Sequence, residues 1–329
     1  MFIFLSPKED RLRRMRDDCI DEPKWFAYPV VQAGFDVHFR NPGQSYRSQL
    51  SHLIKDSSDP ISVLIFTIGK EETLTALEYY KKVKICSLFQ WPPLEHLPFH
   101  KRLCYDIVLR RSDLILVYDK ISEEYISSRY PRKTVLRIGL YIDTDFFTPC
   151  TQDSNVEQFL LCPGDHRRDE NLVVEISQML GIPIIRFSRS IQTLRFYESR
   201  HPNGVRLEYD VPFDRMKWLY QHASAIINVV NDIEIPAGIT CFCEALAMNK
   251  PIVTSNGHSC AGYEFPDGVR PYRFVQRHDD VLQWTEQITS CVDAQIYPDG
   301  RSPRDLALLM CSKKSAVNAW CKIRELLTQ

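Results

Sequence analysis

The segment AGITCFCEALAMNKPIVTSN, residues 237–256, places a single carboxylate, Glu244, within an otherwise apolar run. Gly238 suits a turn that leads into a helix, which would leave the amides of Ile239 and Thr240 without partners inside that helix. Such amides at a helix N-terminus bind anions. Glu244, about one and a half turns further on, is placed to accept hydrogen bonds from a vicinal diol such as that of ribose. The segment predicts a nucleotide site, and the alternative is that Glu244 is a solvated surface residue.

Further charged and polar residues fall at the ends of apolar runs. Glu234 lies in NDIEIP, on the loop after the apolar run AIINVV at 225–230. Arg167 and Arg168 follow the apolar run LLCPG, where they could neutralise phosphate or simply open an exposed helix. Gly257 starts the loop NGHSCAGYEF, which suits a binding cleft or an ordinary turn.

Two histidines in WPPLEHLPFH, His96 and His100, follow a strand in the first half of the chain. Either histidine is a candidate catalytic or acceptor-binding residue, and His96 is the one that we assign to catalysis.

Short apolar, β-branched runs alternate with amphipathic segments along the chain. This alternation predicts parallel sheets covered by helices on both faces. Strands are expected at FIFLS near the N-terminus and at 62–66, 84–89, 113–118, 134–139, 158–164, 182–188, 205–210, 225–230, 251–256 and 272–275. Helices are expected at 71–82, 99–112, 121–130, 170–180, 213–223, 239–249, 278–292 and 305–327. The polar stretch at 145–156 interrupts the alternation and is the expected linker between two α/β domains.

The segment around Glu244 resembles the signature of retaining GT-B glycosyltransferases, in particular family 4. That signature has two acids eight positions apart around a Phe-Gly pair, followed by Ala-Met-Ala and a Gly-Lys-Pro-Val strand entry. CEALAMNKPIVTSN matches its second half. In the first half, the position eight residues before Glu244 is occupied by Pro236. The nearest preceding acid, Glu234, lies ten residues before Glu244. The resemblance implies that Glu244 binds the donor ribose and that Glu234 contacts the donor sugar.

Other segments over about 135–290 agree with this resemblance. Residues 135–149 resemble the end of the family's first domain, with Tyr141 at the usual glycine position. Residues 160–180 resemble the start of the donor domain, but Asp165 and Glu170 stand where the family has Arg and Lys.

Residues 205–230 resemble the unit whose first loop holds the nucleobase through main-chain groups, which implies a donor-binding role for Val211. The same resemblance assigns donor binding to Arg167, Arg168, Gly238, Ile239, Thr240, Glu244 and Gly257.

The implied fold is α/β, a GT-B arrangement of two Rossmann-like domains with parallel sheets facing across a cleft. Residues 1–148 are expected to form the acceptor-side domain and residues 155–303 the donor-binding domain. Residues 304–329 are expected to form a C-terminal helix that crosses back to the first domain. Ligands of such sheets bind beyond the carboxyl ends of the strands.

The implied activity is transfer of a sugar from a UDP- or GDP-sugar with retention of configuration. This co-substrate is expected to need no further cofactor. The leaving diphosphate must be stabilised by cations, amides or a metal. The acidic pair in DTD, residues 143–145, lies at the expected domain junction, so the sequence favours arginine and helix amides without a metal.

Composition narrows the protein classes. The chain has 329 residues, 44% of them hydrophobic, and a formal net charge of −1, which does not favour non-specific nucleic-acid binding. The 11 cysteines include no CxxC pair, so neither a zinc site nor a disulfide framework is indicated. No apolar run approaches the roughly 20 residues of a membrane helix, and no signal peptide is evident, so a soluble cytoplasmic protein is expected.

Two alternatives compete with an active enzyme. A nucleotide-sugar-binding GT-B homologue with weak or no activity is suggested by the altered acid spacing. A periplasmic-type sugar-binding protein is disfavoured by Glu244 and by the absence of a signal peptide. The acceptor stays open among a saccharide, a lipid-linked glycan, a metabolite, a protein and a modified nucleobase, and a homodimer stays open as the assembly.

Overall fold

The computed structural model describes residues 2–5, 27–35, 37–39, 45–56, 61–65, 68, 70–90, 93–150, 158–231, 237–277, 279–293 and 301–328. The chain divides into two compact units. Unit 1 contains Met1–Tyr141 together with Lys313–Gln329, and unit 2 contains Ile142–Ser312. The acceptor-side and donor-side roles of the two expected domains stay predictions.

Unit 1 alternates strands and helices. Its strands are β1 (Phe2–Leu5), β2 (Val37–Phe39), β3 (Ser62–Ile65), β4 (Lys84–Leu88), β5 (Leu114–Val117) and β6 (Thr134–Arg137). Its first helices are α1 (Ala27–Gln32), α2 (Tyr46–Asp56), α3 (Lys70–Tyr79), α4 (Phe99–Arg111) and α5 (Lys120–Arg129), with a short 3-10 helix at Leu94–His96. The strands form one parallel sheet in the order β2-β1-β3-β4-β5-β6.

Unit 2 repeats this alternation. Its strands are β7 (Leu160–Pro163), β8 (Ile184–Ser188), β9 (Val205–Tyr209), β10 (Ala225–Asn228), β11 (Ile252–Ser255) and β12 (Arg273–Val275). Its helices are α6 (Glu170–Leu180), α7 (Ile191–Arg200), α8 (Phe213–His222), α9 (Ile239–Ala247), α10 (Val281–Asp293) and α11 (Pro303–Met310). All residues of β7, β8, β10 and β11 are buried, which explains why these strands are mostly apolar instead of alternating between apolar and polar residues.

The sheet of unit 2 is parallel and has the order β12-β11-β10-β7-β8-β9. The chain therefore builds outward from β7 to one side and then returns to build outward from β10 on the other. This reversal makes a topological switch point between β7 and β10. Crevices at such points, beyond the carboxyl ends of the strands, are where doubly wound sheets bind ligands.

The C-terminal segment forms two helices where the periodicity predicted one helix over 305–327. After α11, the carbonyl of Cys311 accepts a hydrogen bond from the amide of Ile142 at 2.8 Å. This carbonyl therefore bonds to an amide that lies outside the helix. The next helix, α12 (Lys313–Thr328), begins two residues after Cys311. Helix α12 belongs to unit 1, where Trp320 packs edge-on against Phe35 with ring centroids 6.2 Å apart.

Among the described residues, no helix combines the length and the apolar character needed to cross a membrane.

Candidate functional site

The two loops that flank the switch point of unit 2 are bonded to each other. Arg168, on the loop after β7, forms an isolated antiparallel bridge with Val230, just after β10. The amide of Asn231 donates to the carbonyl of Arg167 at 2.9 Å, and the amide of Asp169 donates to the carbonyl of Val229 at 3.3 Å. Main-chain hydrogen bonds therefore join the two loops at the carboxyl ends of β7 and β10.

Arg168 lies inside this junction with 7% of its surface exposed. Its Nε donates to the carbonyl of Pro163 at 2.9 Å and its Nη1 to the carbonyl of His166 at 2.8 Å. A Cβ atom at Gly164, whose φ is +100°, would lie 2.5 Å from Nη2 of Arg168 and 2.8 Å from Sγ of Cys241. The guanidinium is therefore packed between the loop and the first turn of α9. Its exposed neighbour Arg167 has a left-handed backbone, with φ at +56°.

Helix α9 begins without a capping side chain. Its N-cap is Gly238, which is left-handed with φ at +83° and makes no side-chain cap hydrogen bond. The amides of Ile239 and Thr240 belong to the first turn, whose N–H groups have no acceptor within the helix. A Cβ at Gly238 would lie 2.7 Å from both amide atoms of Asn228, so only glycine fits here. This start presents amides and partial positive charge, the features that favour an anion.

The carboxylate of Glu244 is buried, with 1% of the residue exposed. Its Oε2 accepts a hydrogen bond of 2.6 Å from the hydroxyl of Tyr220, which comes from α8. Burial, and then the neighbouring charge of Glu244, raises the pKa of Tyr220 well above its usual value. The alternative of a solvated surface carboxylate is therefore wrong, whereas the ribose-binding role stays a prediction.

A buried polar layer lies beneath Gly238. Nδ2 of Asn228 donates to Oγ1 of Thr254 at 3.1 Å, and Thr254 shares a 3.0 Å hydrogen bond with Oγ of Ser259. Oδ1 of Asn228 has no hydrogen-bond partner among the described residues. Gly257 starts the adjacent turn, because its carbonyl accepts from the amide of Ala261 at 3.0 Å.

The two acids at positions where the resemblance expects basic residues are used inside unit 2. Glu170 makes a two-pronged pair with the fully buried Arg186, with Nε–Oε2 at 2.9 Å and Nη2–Oε1 at 2.8 Å. The hydroxyl of Tyr197 also donates to Glu170, at 2.9 Å. Asp165 accepts from Oγ of Ser188 at 2.7 Å and from the amide of Arg189 at 2.6 Å. Each of the two acids therefore accepts hydrogen bonds from neighbouring residues of unit 2.

A second cluster of interacting residues lies at the carboxyl ends of β8 and β9. Of its members, the sequence analysis predicts a role only for Val211. Nη2 of Arg189 donates to the carbonyl of Val211 at 3.4 Å. Nε of Arg189 lies 3.2 Å from Oδ1 of Asp210, and its guanidinium lies 5.4 Å from the ring centroid of Phe213.

The structure brings Arg168, Gly238 and the first turn of α9 together, with Glu244 further along the same helix.

His96 is exposed in unit 1, on the 3-10 helix whose Leu94 amide donates to the hydroxyl of Tyr125 at 2.7 Å. Glu234 lies outside the described residues.

The DTD motif stabilises a turn, since Oδ1 of Asp143 accepts from the amides of Asp145 and Phe146 at 3.0 Å and 3.2 Å. Among the described residues, no group of three or more His, Cys, Asp or Glu could hold a metal ion.

No model of a known protein family matches the sequence, and no curated protein matches it. Several solved structures are similar to it in fold. HepE from Anabaena, in complex with UDP and glucose, is 12% identical with a TM-score of 0.69, over 100% of this chain and 98% of that chain. Sucrose-phosphate synthase from Thermosynechococcus elongatus is 10% identical with a TM-score of 0.71, over 99% and 98% of the two chains. A glycosyltransferase from Rickettsia africae is 14% identical with a TM-score of 0.67, over 89% and 85%.

These similarities extend over both sheets. They confirm the prediction of an α/β chain built on two parallel, Rossmann-like sheets, and the chain has the GT-B fold of glycosyltransferases.

Proposed function

We propose that this chain is a glycosyltransferase that takes its sugar from a nucleotide-diphosphate sugar, with uridine or guanosine as the nucleoside. The observation that carries the proposal is the contact between the Arg168 loop and the uncapped start of α9 at the switch point of unit 2. A cation and a set of helix amides at one place match the diphosphate of such a donor.

The chemistry follows from the leaving group. When the sugar–phosphate bond breaks, negative charge grows on the departing diphosphate. The amides of Ile239 and Thr240, and the charge of Arg168, stabilise that charge without having to reorganise, because the backbone around them is already bonded. Nη2 of Arg168, which makes no hydrogen bond to a described residue, is the atom we assign to a phosphate oxygen.

We assign the donor ribose to Glu244. Two neighbouring hydroxyls can donate to one carboxylate, which selects a vicinal diol. The hydrogen bond from Tyr220 holds the carboxylate in one orientation and thereby lowers the ordering cost of ribose binding.

Similarity in fold adds support for a uridine donor. HepE has been solved with UDP and glucose and with UDP-glucose. The resemblance to retaining family 4 enzymes supports retention of configuration and a mechanism that uses arginine and amides without a metal. Within this proposal Glu234 contacts the donor sugar, His96 acts on the acceptor side in residues 1–148, and residues 155–303 bind the donor. The acceptor stays unidentified.

The test measures donor binding and turnover separately. Binding of UDP and GDP is followed by calorimetry, and release of UDP from UDP-glucose is followed with and without candidate acceptors. Arg168→Ala should weaken UDP binding about tenfold or more, the scale of a charge-assisted hydrogen bond. Arg168→Lys should recover part of the loss, because it restores the charge without the planar fork.

Arg206→Ala is the matched control. Arg206 is an ion-paired, exposed arginine near the amino end of β9, whereas the proposed site lies beyond the carboxyl ends of the strands. UDP binding without any release of UDP from UDP-glucose would favour a catalytically weak homologue. Failure of both UDP and GDP to bind would overturn the proposal.

A further inference from the structure

Helices α3 and α4 of unit 1 expose apolar side chains to solvent. On α3, Leu74 and Leu77 lie three positions apart, and on α4, Phe99 and Leu103 lie four positions apart. All four residues are exposed, and Phe99 is the most exposed of them, at 71%. Residues three or four positions apart share one face of a helix. Each of the two helices therefore carries an exposed apolar stripe.

The stripe on α4 lies on the side of the helix that points away from the core. The residues of α4 that unit 1 buries are Tyr105, Val108 and Leu109. With about 3.6 residues per turn, Phe99 and Leu103 fall on the opposite side of the helix. A helix that covers a sheet needs one apolar face, which packs on the core. The core of unit 1 therefore does not account for Phe99 and Leu103.

The two stripes belong to one surface, because α3 and α4 pack side by side. They follow β3 and β4, which are adjacent parallel strands, so the two helices run in the same direction. At their C-terminal ends, the guanidinium of Arg111 lies 3.9 Å from the ring centroid of Tyr80, the residue that follows α3. We call Leu74, Leu77, Phe99 and Leu103 the apolar patch.

Basic residues border the apolar patch. Helix α4 contains one acid, Asp106, and four lysines and arginines, which are Lys101, Arg102, Arg110 and Arg111. Lys81 and Lys82, which follow α3, are exposed as well. The nearby acids are partly neutralised within unit 1, since Asp106 pairs with Arg110 at 2.6 Å and Glu78 bonds Nε of Arg47 at 2.6 Å. The border of the patch therefore carries an excess of positive charge.

We propose that this surface of α3 and α4 binds an anionic lipid bilayer. Phe99 and its apolar neighbours enter the boundary between headgroups and acyl chains, and the basic residues contact lipid phosphates. Exposed apolar side chains beside lysine and arginine are the combination that holds a protein on such a surface. The inference goes beyond the proposed function and is independent of it, because it uses no residue of the switch-point site.

Charge disfavours a second copy of this chain as the occupant. In a symmetric dimer the same surface meets itself. Helix α4 has basic residues at both ends, Lys101 and Arg102 near its start and Arg110 and Arg111 at its end. Two α4 helices therefore bring cations together whether they lie parallel or antiparallel, and like charges in an interface repel. An anionic bilayer supplies an apolar layer and negative charge at once.

The experiment measures binding of the full chain to lipid vesicles by cosedimentation. One set of vesicles contains phosphatidylcholine alone, and the other contains phosphatidylcholine and phosphatidylglycerol in equal parts. Wild type should bind the anionic vesicles at least about tenfold more tightly than the neutral ones. Added salt should weaken the binding to anionic vesicles, because it screens the charges.

Two variants test the apolar and the basic parts of the surface separately. Phe99→Ser should weaken binding to anionic vesicles about fivefold or more, because the aromatic ring no longer enters the bilayer. The double variant Arg110→Ser with Arg111→Ser should weaken that binding by about tenfold and remove most of the preference for anionic vesicles.

Each variant has a matched control in unit 2. Leu282→Ser removes an apolar residue that is 60% exposed on α10. Arg206→Ser with Arg277→Ser removes two exposed arginines that face carboxylates, Glu208 at 3.0 Å and Asp279 at 3.9 Å. Both controls should bind anionic vesicles like wild type, and thermal unfolding should show that all four variants are folded.

The inference is overturned if wild type binds neither kind of vesicle, or if it binds both kinds equally. It is also overturned if Phe99→Ser and the double arginine variant bind anionic vesicles as wild type does. Sedimentation of the chain without lipid tests the second copy: a dimer that Phe99→Ser converts to a monomer would make this surface an interface between copies instead. None of these results bears on UDP binding, so the proposed function would stand or fall by its own test.

Discussion

The hydroxyl of Tyr220 lies 2.6 Å from Oε2 of Glu244, and both side chains are buried between α8 and α9. The packing continues from Tyr220 to the ring of Phe147, 6.1 Å away and nearly perpendicular. A carboxylate held by a phenol in a packed interior is fixed in direction, in contrast to an acid on a solvated helix face. The ribose-binding role proposed for Glu244 can therefore be tested by changing either the carboxylate or the hydroxyl of Tyr220 that orients it.

Replacing Glu244 by Gln should raise the donor KM more than it lowers kcat. The carboxylate–diol contact exists in the ground state and the transition state alike, so its loss mainly weakens binding. The expected rise in KM is about tenfold or more, because charge-assisted hydrogen bonds are lost. Steady-state kinetics with varied UDP-sugar measure both constants. Tyr220→Phe should produce a smaller rise of the same kind, since it leaves the charge and removes its orientation; a donor KM equal to wild type in both variants would remove Glu244 from the site.

Gly238→Ala should destabilise the chain and weaken UDP binding together. The left-handed backbone of an L-residue costs about 1–2 kcal/mol, and the added Cβ would lie 2.7 Å from the Asn228 amide. Gly181→Ala is a matched control, because Gly181 is also left-handed, with φ at +64°, and a Cβ added there would have nothing within 4 Å. Thermal unfolding and UDP titration should show a larger stability loss for Gly238→Ala, and weaker binding for that variant alone.

If both glycine variants lose the same stability and bind UDP like wild type, then the start of α9 accommodates a side chain. That result would contradict the role assigned to its amides.

The buried pair of Glu170 and Arg186 should be far more sensitive than an exposed pair. Glu170→Gln should lower the free energy of unfolding by about 3–5 kcal/mol, because a buried guanidinium loses its counter-charge. The double variant Glu170→Leu with Arg186→Met should lose less than Glu170→Gln alone, since no uncompensated charge remains. Arg270→Met removes an exposed pair of similar length, with Glu264 at 2.8 Å, and should cost about 1 kcal/mol or less. Denaturant unfolding of the variants measures the differences; equal losses for Glu170→Gln and Arg270→Met would contradict the argument.

The elements that could be predicted from the sequence are those whose pattern is local. Short runs rich in apolar and β-branched residues indicate the strands from β3 to β12, and Gly238 with its apolar helix indicates α9. Helices α1, α2 and α7 and strand β2 were missed, because they are short or are polar with scattered apolar residues. Arg186 lies within an apolar strand, and its partner Glu170 is 16 positions away, so only the fold brings the two together. The link between Arg189 and Val211 spans 22 positions and was missed for the same reason.

Lys250 should make stability rise with pH in the alkaline range. Its residue is buried, its Nζ donates to the carbonyl of Ala223 at 2.9 Å, and burial lowers its pKa from 10.5 to about 8. Below about pH 8 the lysine is protonated in the folded and unfolded chains, so the cost of burying its charge is fully present. Between about pH 8 and 10.5 the folded chain has released this proton while the unfolded chain still binds it, and stability therefore increases with pH.

The expected gain is about 2–3 kcal/mol between pH 7 and pH 10.5. Other groups titrate in this range, so the measurement is the difference between wild type and Lys250→Met, followed by denaturant unfolding at several pH values. Because the variant lacks the titrating amine, wild type should gain stability relative to it as the pH rises, with the steepest change above about pH 8. Parallel pH profiles for the two proteins would mean that Lys250 keeps an ordinary pKa in the folded chain.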